Sequence, residues 1–292
     1  MGASSHVGAG RPSMMLSRPE VRRLLASQGL RPSRALGQNF VVDPNTVRRI
    51  ARLAEVDPGS AVIEVGAGLG SLTLALAEAG AHVVAVEIDR GLVQLLRSVV
   101  ESKGVRVVQG DALTLDWTEL LGDADNPQGS SWSLVSNLPY NVATPMIAKV
   151  LDEVPQVRRL VVMVQREVGE RLAASAGDDA YGAISVKVAY HANASLLGRV
   201  SPTVFMPRPN VESVIVGMER RAAPAVDPEL VSAERLFKVV GAGFAHRRKM
   251  LRRSLSGVLD PEAFAAAGVD PTLRAEDLDV VTWGRLAGWG AR

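Results

Sequence analysis

"AVIEVGAGLG", residues 61–70, and the "SLTLALAEAG" that carries the chain on to residue 80, decide the fold class. Ala61 to Val65 is apolar but for Glu64 and rich in β-branched side chains, the composition of a buried strand. The run breaks at Gly66, Gly68 and Gly70 and passes into a helical pattern closed by Gly80. A strand, a glycine turn and a helix in that order bring backbone amides to a ligand at the carboxyl edge of a sheet. A dinucleotide fingerprint would place its third glycine at position 71, where this chain has Ser71, so the turn suits a nucleotide-like cofactor without matching that motif.

Outward from this unit the alternation continues. "DPNTVRRIARLAEV" precedes it as a helix, with Asp43 at the N-cap and Pro44 at the first helical position. After it come the strand "HVVAVEID", the helix "RGLVQLLRSVVES" and the strand "VRVVQGDAL". "SLVSNLPY", the helix "VATPMIAKVLDE", the strand "RRLVVMVQ" and the helix "REVGERLAAS" follow. Strands written as continuous apolar runs and separated by helices specify a parallel sheet covered on both faces. "AISVKVAYHA", "ASLLGRVSP" and "ESVIVGME" then read as strands of an antiparallel edge. "RRAAPAVDPEL" (220–230) is the linker candidate, and beyond it "PELVSAERLFKVVGAGF", "HRRKMLRRSLSGVL", "PEAFAAAG" and "AEDLDVVTWGRLAGW" are helical. The expected organisation is a disordered tail over 1–15, an α/β domain over 16–221 and a small all-α domain over 222–292.

Composition narrows the function. With 292 residues, 47% of them apolar and 22% charged, the chain can bury a sizeable core. Its apolar runs fall well short of the roughly 20 residues that span a bilayer. The absence of cysteine excludes disulfides, thiolate metal sites and a cysteine nucleophile. "MGASSHVGAGRPSMM" has no basic segment followed by an apolar stretch, so it is not a secretory signal, and a cytoplasmic protein is expected. The net charge is only +2, but nine arginines (11, 18, 22, 23, 31, 34, 48, 49, 52) stand against Glu20 and Asp43 near the start, and "HRRKMLRR" (246–253) carries five cations and no acid. Either cluster alone fits a solvated helix face. Two of them flanking one domain, with 28 arginines to five lysines overall, favour nucleic acid.

Three successive strand ends supply polar groups to one crevice. Glu87 closes the second strand 21 residues after Gly66, where a carboxylate reaches ribose hydroxyls, and Asp111 ends the third. Glu64 is expected to brace the glycine loop by accepting its amides, and an acid there suits a cofactor with a cationic amino-acid end better than a pyrophosphate. The fourth strand end is "NLPY", Asn137 to Tyr140: an amide, a proline and an aromatic ring where a core strand should finish.

"EVGAGLGSLT", Glu87, "GDAL" and "NLPYN" together resemble the motif series of S-adenosylmethionine-dependent methyltransferases that act on exocyclic amines of bases. "LGQNFVVD" (36–43), "FMPRPNVESVIV" (205–216) and "FAHRRKMLRRSL" (244–255) narrow the resemblance to the ribosomal RNA adenine dimethyltransferases, those of the small subunit in particular, from about residue 16 to the end. The departures are Val41 for a leucine and "NVATP" for an Ile-Ser-containing version, which touches the packing around Val142 and Ala143 but no acceptor group.

The resemblance implies a Rossmann-like class I methyltransferase with a mostly parallel seven-stranded sheet and a helical C-terminal domain. The implied reaction dimethylates two adjacent adenosines in a hairpin loop near the 3′ end of 16S rRNA, within the 30S subunit or its precursor, during small-subunit maturation. The implied cofactor residues are Asn39 and Val41 beside the cofactor, Gly66 and Gly68 at its amino-acid end, Glu87 at the ribose, Asp111 at the adenine, and Asn137 between cofactor and substrate. Asn137 and Leu138 would accept the N–H groups of the target amine, Pro139 would stiffen the loop, and Tyr140 and Phe205 would clamp the base, the alternative for Phe205 being a buried edge-strand residue. Arg247, Arg248, Lys249, Arg252 and Arg253 would grip RNA phosphates; no metal is called for, and a monomer is expected. The rival readings are a 23S rRNA dimethyltransferase conferring macrolide resistance and a non-catalytic ribosome-assembly factor. A DNA adenine methyltransferase is weaker still, since no separate target-recognition domain is evident.

Overall fold

A computed structural model describes residues 15–33, 37–122, 129 and 131–290 of the chain. Helix α1 (Arg18–Ser27) and the two-residue strand β1 (Phe40–Val41) precede α2 (Pro44–Leu53). Five strand–helix units follow: β2 (Ala61–Val65) with α3 (Ser71–Glu78), β3 (His82–Glu87) with α4 (Arg90–Val100), β4 (Arg106–Gln109) with α5 (Trp117–Leu120), β5 (Trp132–Asn137) with α6 (Ala143–Glu153), and β6 (Val157–Gln165) with α7 (Arg166–Leu172). Helix α8 (Ala183–His191) leads into β7 (Ala192–Val200), β8 (Phe205–Met206) and β9 (Ser213–Arg220). The chain ends in α9 (Ala233–Ala245), α10 (Leu251–Ser254), α11 (Glu262–Ala267) and α12 (Val280–Gly288).

The main sheet has seven strands in the order β4-β3-β2-β5-β6-β9-β7. The first five are parallel, and β9 inserts antiparallel between β6 and β7. Within β2, Val62 enters one core layer while Ala61, Ile63 and Val65 enter the other, which is why the strand reads as an unbroken apolar run. The chain leaves β2 outward through β3 and β4, then returns to β5 on its other side. That reversal puts a crevice at the carboxyl ends of β2 and β5, where open α/β sheets take their ligands. Local signals set the helix starts around it: Asp43 accepts from Thr46 N at 2.9 Å with Pro44 at the first position of α2, and Asp89 accepts from Gly91 N at 2.9 Å at the start of α4.

Four expectations need correction. Met15, assigned to the tail, is 2% exposed and packs with Val21 and Leu25 in the core; the rest of that tail lies outside the described residues. "AISVKVAYHA" is the helix α8, not a strand. "HRRKMLRRSLSGVL" is not one helix either, because Met250 forms a β-bridge with Arg274 and only Leu251–Ser254 is helical. Lastly, the third hydrophobic cluster joins Tyr181, Val186 and Tyr190, from before residue 221, with Val226, Leu236, Leu251 and Trp283, so the helical region shares its core with α8.

Candidate active site

Four strand ends and one loop line a single cleft at the carboxyl edge of the sheet. β2 delivers Glu64 and the loop Gly66–Leu69, β3 delivers Glu87 and Ile88, the turn after β4 delivers Asp111, and β5 delivers Asn137 to Tyr140. Gly37 to Val41, including β1, closes the remaining side. β1 is held there by its antiparallel pairing with β8, Val41 opposite Phe205 and Phe40 opposite Met206.

The glycine loop is shaped by what approaches it. Gly66 has φ +73°, and a Cβ on it would stand 3.0 Å from Pro139 Cδ; Gly68 has φ +58°, and its Cβ would stand 3.1 Å from the Phe40 ring. Side chains at those positions would push away the "NLPY" turn and the β1 loop, so the glycines set the width of the cleft. The amides of Gly66 and Ala67 donate to Val86 O at 2.8 and 3.2 Å, and that of Gly68 donates to Glu87 Oε2 at 2.8 Å.

The loop brace is therefore Glu87, which also accepts from Asp89 N through Oε1 at 2.9 Å. Its carboxylate keeps acceptor capacity for a hydroxyl beyond these amides. Burial pushes its pKa up, against the pull of those amides. Glu64, expected to accept loop amides, receives the Thr73 hydroxyl instead, at 2.5 Å. It is 2% exposed, and burial, with a further rise from the nearby Glu87 charge, pushes its pKa up to about 8. Asp111 Oδ1 accepts from Leu113 N at 2.9 Å, which fixes the carboxylate at the strand end.

At the fourth strand end, Asn137 Nδ2 donates to Asn39 O at 3.1 Å, which leaves the side-chain oxygen as the free acceptor of the amide. Leu138 N donates to Met163 O at 3.1 Å and its side chain is buried, anchoring the turn to β6. Tyr140, half-buried, has its Oη 2.9 Å from Ser213 Oγ, and burial raises its pKa. The result is an acceptor-lined, proline-braced rim with an aromatic plane beside it. Such a rim suits a planar amine with two N–H groups to place.

The site residues read from sequence divide into those the fold gathers and those it does not. Asn39, Val41, Gly66, Gly68, Glu87, Asp111, Asn137, Leu138, Pro139 and Tyr140 all line the cleft. Phe205 does not; it is 0% exposed, in the core behind β1, where it supports the strand that carries Val41. Arg248, Lys249, Arg252 and Arg253 are exposed, whereas Arg247 donates to Glu276 Oε2 and to Asp179 O, each at 2.5 Å. In the N-terminal cluster Arg18 binds Thr203 O and Phe205 O, Arg48 pairs with Glu78, and Arg49 binds Arg199 O. Arg22, Arg23, Arg31 and Arg52 are exposed, and Arg11 and Arg34 lie outside the described residues.

Among the cleft residues that the sequence reading did not single out are Ser71, Gln38 and Ile88. Ser71 presents a buried hydroxyl with no hydrogen-bond partner. Gln38 accepts from Ser33 N at 2.7 Å and donates to Asp89 Oδ2 at 3.0 Å, tying the closing loop to the strand end that holds Glu87. Ile88 is 49% exposed at the rim directly after Glu87, an exposure that nothing in the sequence marks. The orphan Ser71 hydroxyl and the buried Glu64 carboxyl fit a ligand with a charged amino-acid end. Glu87 and Asp111 fit its nucleoside. The donor set thus suits S-adenosylmethionine.

A family model described as ribosomal RNA adenine dimethylase matches residues 9–290. A ribosomal RNA small subunit methyltransferase A of Thermobifida fusca is 47% identical over 284 residues, covering 94% of this chain and 95% of its own. One of Leifsonia xyli is 48% identical over 284 residues, covering 94% and 98%. Among solved structures, the 23S rRNA methyltransferase ErmE superposes with a TM-score of 0.65 at 27% identity, covering 85% of this chain and 98% of its own. A dimethyladenosine transferase of Plasmodium falciparum gives a TM-score of 0.67 at 21% identity, covering 84% and 94%, and supports the fold.

Proposed function

The chain belongs to the ribosomal RNA adenine dimethylase family, and from that premise we propose that it dimethylates two adjacent adenosines in a hairpin loop near the 3′ end of small-subunit ribosomal RNA, using S-adenosylmethionine. The observation that carries the reading is the orientation of Asn137: with Nδ2 held by Asn39 O, its oxygen is the group left to meet a donor. An adenine amine is a poor nucleophile because its lone pair is delocalised into the ring. Asn137 Oδ1 and the Leu138 carbonyl each accept one N–H, which draws the nitrogen toward tetrahedral geometry and frees the lone pair. Pro139 keeps the two acceptors convergent. Tyr140 stacks on the base, a contact worth about 1–3 kcal/mol.

When bound, S-adenosylmethionine supplies an electrophilic methyl group on a sulfonium. Glu64 and Ser71 hold its amino-acid end, Glu87 its ribose hydroxyls and Asp111 its adenine. Asn39 and Phe40 shield this end of the cleft from water. The methylated amine is acidic enough to lose its proton to solvent, so no strong base is needed, and alignment provides most of the acceleration.

The substrate is a partly assembled small subunit, met by a monomer in the cytoplasm; among the described residues no helix is long and apolar enough to cross a membrane. The test is transfer of labelled methyl groups to under-methylated small subunits, followed by mapping. Label at two adjacent adenosines of the 3′ hairpin is expected. Label in the large subunit with macrolide protection, or particle binding without transfer, would overturn the assignment.

A further inference from the structure

Beside the strand pair that closes the active cleft lies a second groove, between α1 and Met206–Pro207. Leu25 and Leu30 form one wall and Met206 and Pro207 the other, with Arg22 and Arg31 at the rim. Arg22, Leu25, Ala26 and Gly29 follow the i, i+3, i+4, i+7 spacing that gives one face of a helix and its continuation. The groove is preformed: Arg18 Nη2 donates to Thr203 O at 2.9 Å and Phe205 O at 3.2 Å, pinning α1 to the segment that leads into Met206.

Its charge is one-sided. No acid lines it among the described residues, and Glu20, on the same helix, is turned into the N-terminal cap, accepting from Ser17 N at 2.6 Å. Arg18, Arg48 and Arg49 each serve the fold, whereas Arg22 and Arg31 are exposed and point no hydrogen bond at the protein among the described residues. An apolar slot rimmed by two uncommitted guanidinium groups matches a nucleotide: an uncharged planar base inside, phosphates on the fork-shaped donors. Its place relative to the reaction is also fixed. Met206 faces this groove, while its antiparallel Cα partner Phe40 lines the active cleft, so the two sites lie on neighbouring strands.

We propose that the groove between α1 and Met206–Pro207 is a second nucleotide-binding subsite, which holds a single-stranded RNA residue flanking the adenosine in the cleft. The proposal rests on the RNA-methylating reading above, and makes that reading more specific by giving the substrate a second anchor. The base lies between the Leu25–Leu30 wall and the Met206 thioether, a sulfur that contacts aromatic rings favourably. Arg22 and Arg31 hold the phosphates on either side. The base slot contributes affinity whatever the salt concentration, while the two arginines contribute a part that salt weakens.

The test uses the full chain and a short single-stranded oligoribonucleotide, with binding followed by fluorescence anisotropy across a salt series. Replacing both arginines, Arg22→Gln with Arg31→Gln, should weaken binding at low salt by about tenfold or more and flatten the slope of log affinity against log salt by about 1.4, roughly 0.7 for each phosphate no longer neutralised. Ala26→Phe, which fills the groove from an exposed helix position and removes no charge, should weaken binding while leaving the slope unchanged. Both variants should keep the melting temperature and the S-adenosylmethionine affinity of the parent chain. On small subunits they should raise KM with kcat unchanged. Unaltered affinity and slope in the double variant, or unaltered affinity with Ala26→Phe, overturns the subsite. Absence of methyl transfer by the parent chain, with these binding differences present, overturns the reaction assignment and leaves the groove standing.

Discussion

The Asn137 side chain is held in an orientation that another residue imposes. With Nδ2 given to Asn39 O, Asn137→Ala removes one tie to the closing loop and, on the mechanism proposed above, one acceptor from the target amine. A fall in kcat of about a hundredfold or more is expected, with affinity for the small subunit retained, measured by single-turnover methyl transfer and particle binding. Tyr140 separates ring from hydroxyl: Tyr140→Phe gives up only the hydrogen bond with Ser213, whereas Tyr140→Ala also removes the stacking plane and should weaken substrate binding by about 1–3 kcal/mol. Glu64 gives a pH signature. Its folded pKa is about 8 against an ordinary 4.5, so between those values the folded chain holds a proton that the unfolded chain has released. Stability of the ligand-free protein is then greatest below about pH 4.5 on this group's account and declines as pH rises through that window toward 8. Thermal melts of Glu64→Gln should lack this decline, and equal slopes for the two proteins would refute the account. The sequence marked Glu64, but not its neutral form, because the burial that protonates it comes from elements far along the chain.

The glycine turn and the strand ends were legible because each is a local pattern: a β-branched run, a glycine, an acid or amide, then a helix start. That legibility failed at α8 for a physical reason. Ile184 and Val188 pack toward the sheet, while Val186 and Tyr190 pack toward the helical region, two stripes offset by two residues. At about 100° per residue, the stripes fall on opposite sides of the helix, and a helix buried on both sides writes the same apolar alternation as a strand. Phe205 could be read two ways on similar grounds, as a base clamp or as a buried edge-strand residue. An aromatic beside "MPRP" suits a rim, and only the pairing of β1 with β8 shows that it packs beneath the loop it was expected to flank. The contact between elements that matters most to the cleft is Gly66 against Pro139. Gly66→Ala adds a methyl 3.0 Å from Pro139 Cδ in a backbone with φ +73°, so the "NLPY" turn must shift. Methyl transfer should fall by about a hundredfold while the strand core survives, seen as diminished activity with retained circular dichroism and a modestly lowered melting temperature.

Among the described residues, positive charge is divided between cations tied into the fold and cations left exposed to solvent, and sequence alone does not separate the two. Arg247 sits in the run "HRRKMLRR" with four cations, yet it bridges Glu276 and the Asp179 carbonyl, which links the C-terminal helices to the segment before α8. Arg248, Lys249, Arg252 and Arg253 are exposed around the Met250–Arg274 bridge, which turns the chain so that Leu251 is buried while its basic neighbours face outward. Two variants should therefore behave oppositely. Arg247→Gln should lower stability by on the order of 1 kcal/mol and change the salt dependence of particle binding little. Replacing the other four by glutamine should leave the melting temperature in place and flatten the slope of log affinity against log salt by about 3 to 4, close to 0.9 for each duplex phosphate no longer neutralised. With these four cations gone, transfer to an isolated hairpin should be weakened less than transfer to the assembled particle, because the hairpin uses the cleft and its immediate surroundings while the particle offers a wider phosphate surface. Equal loss on both substrates would place the four cations at the cleft and remove the helical region from substrate selection.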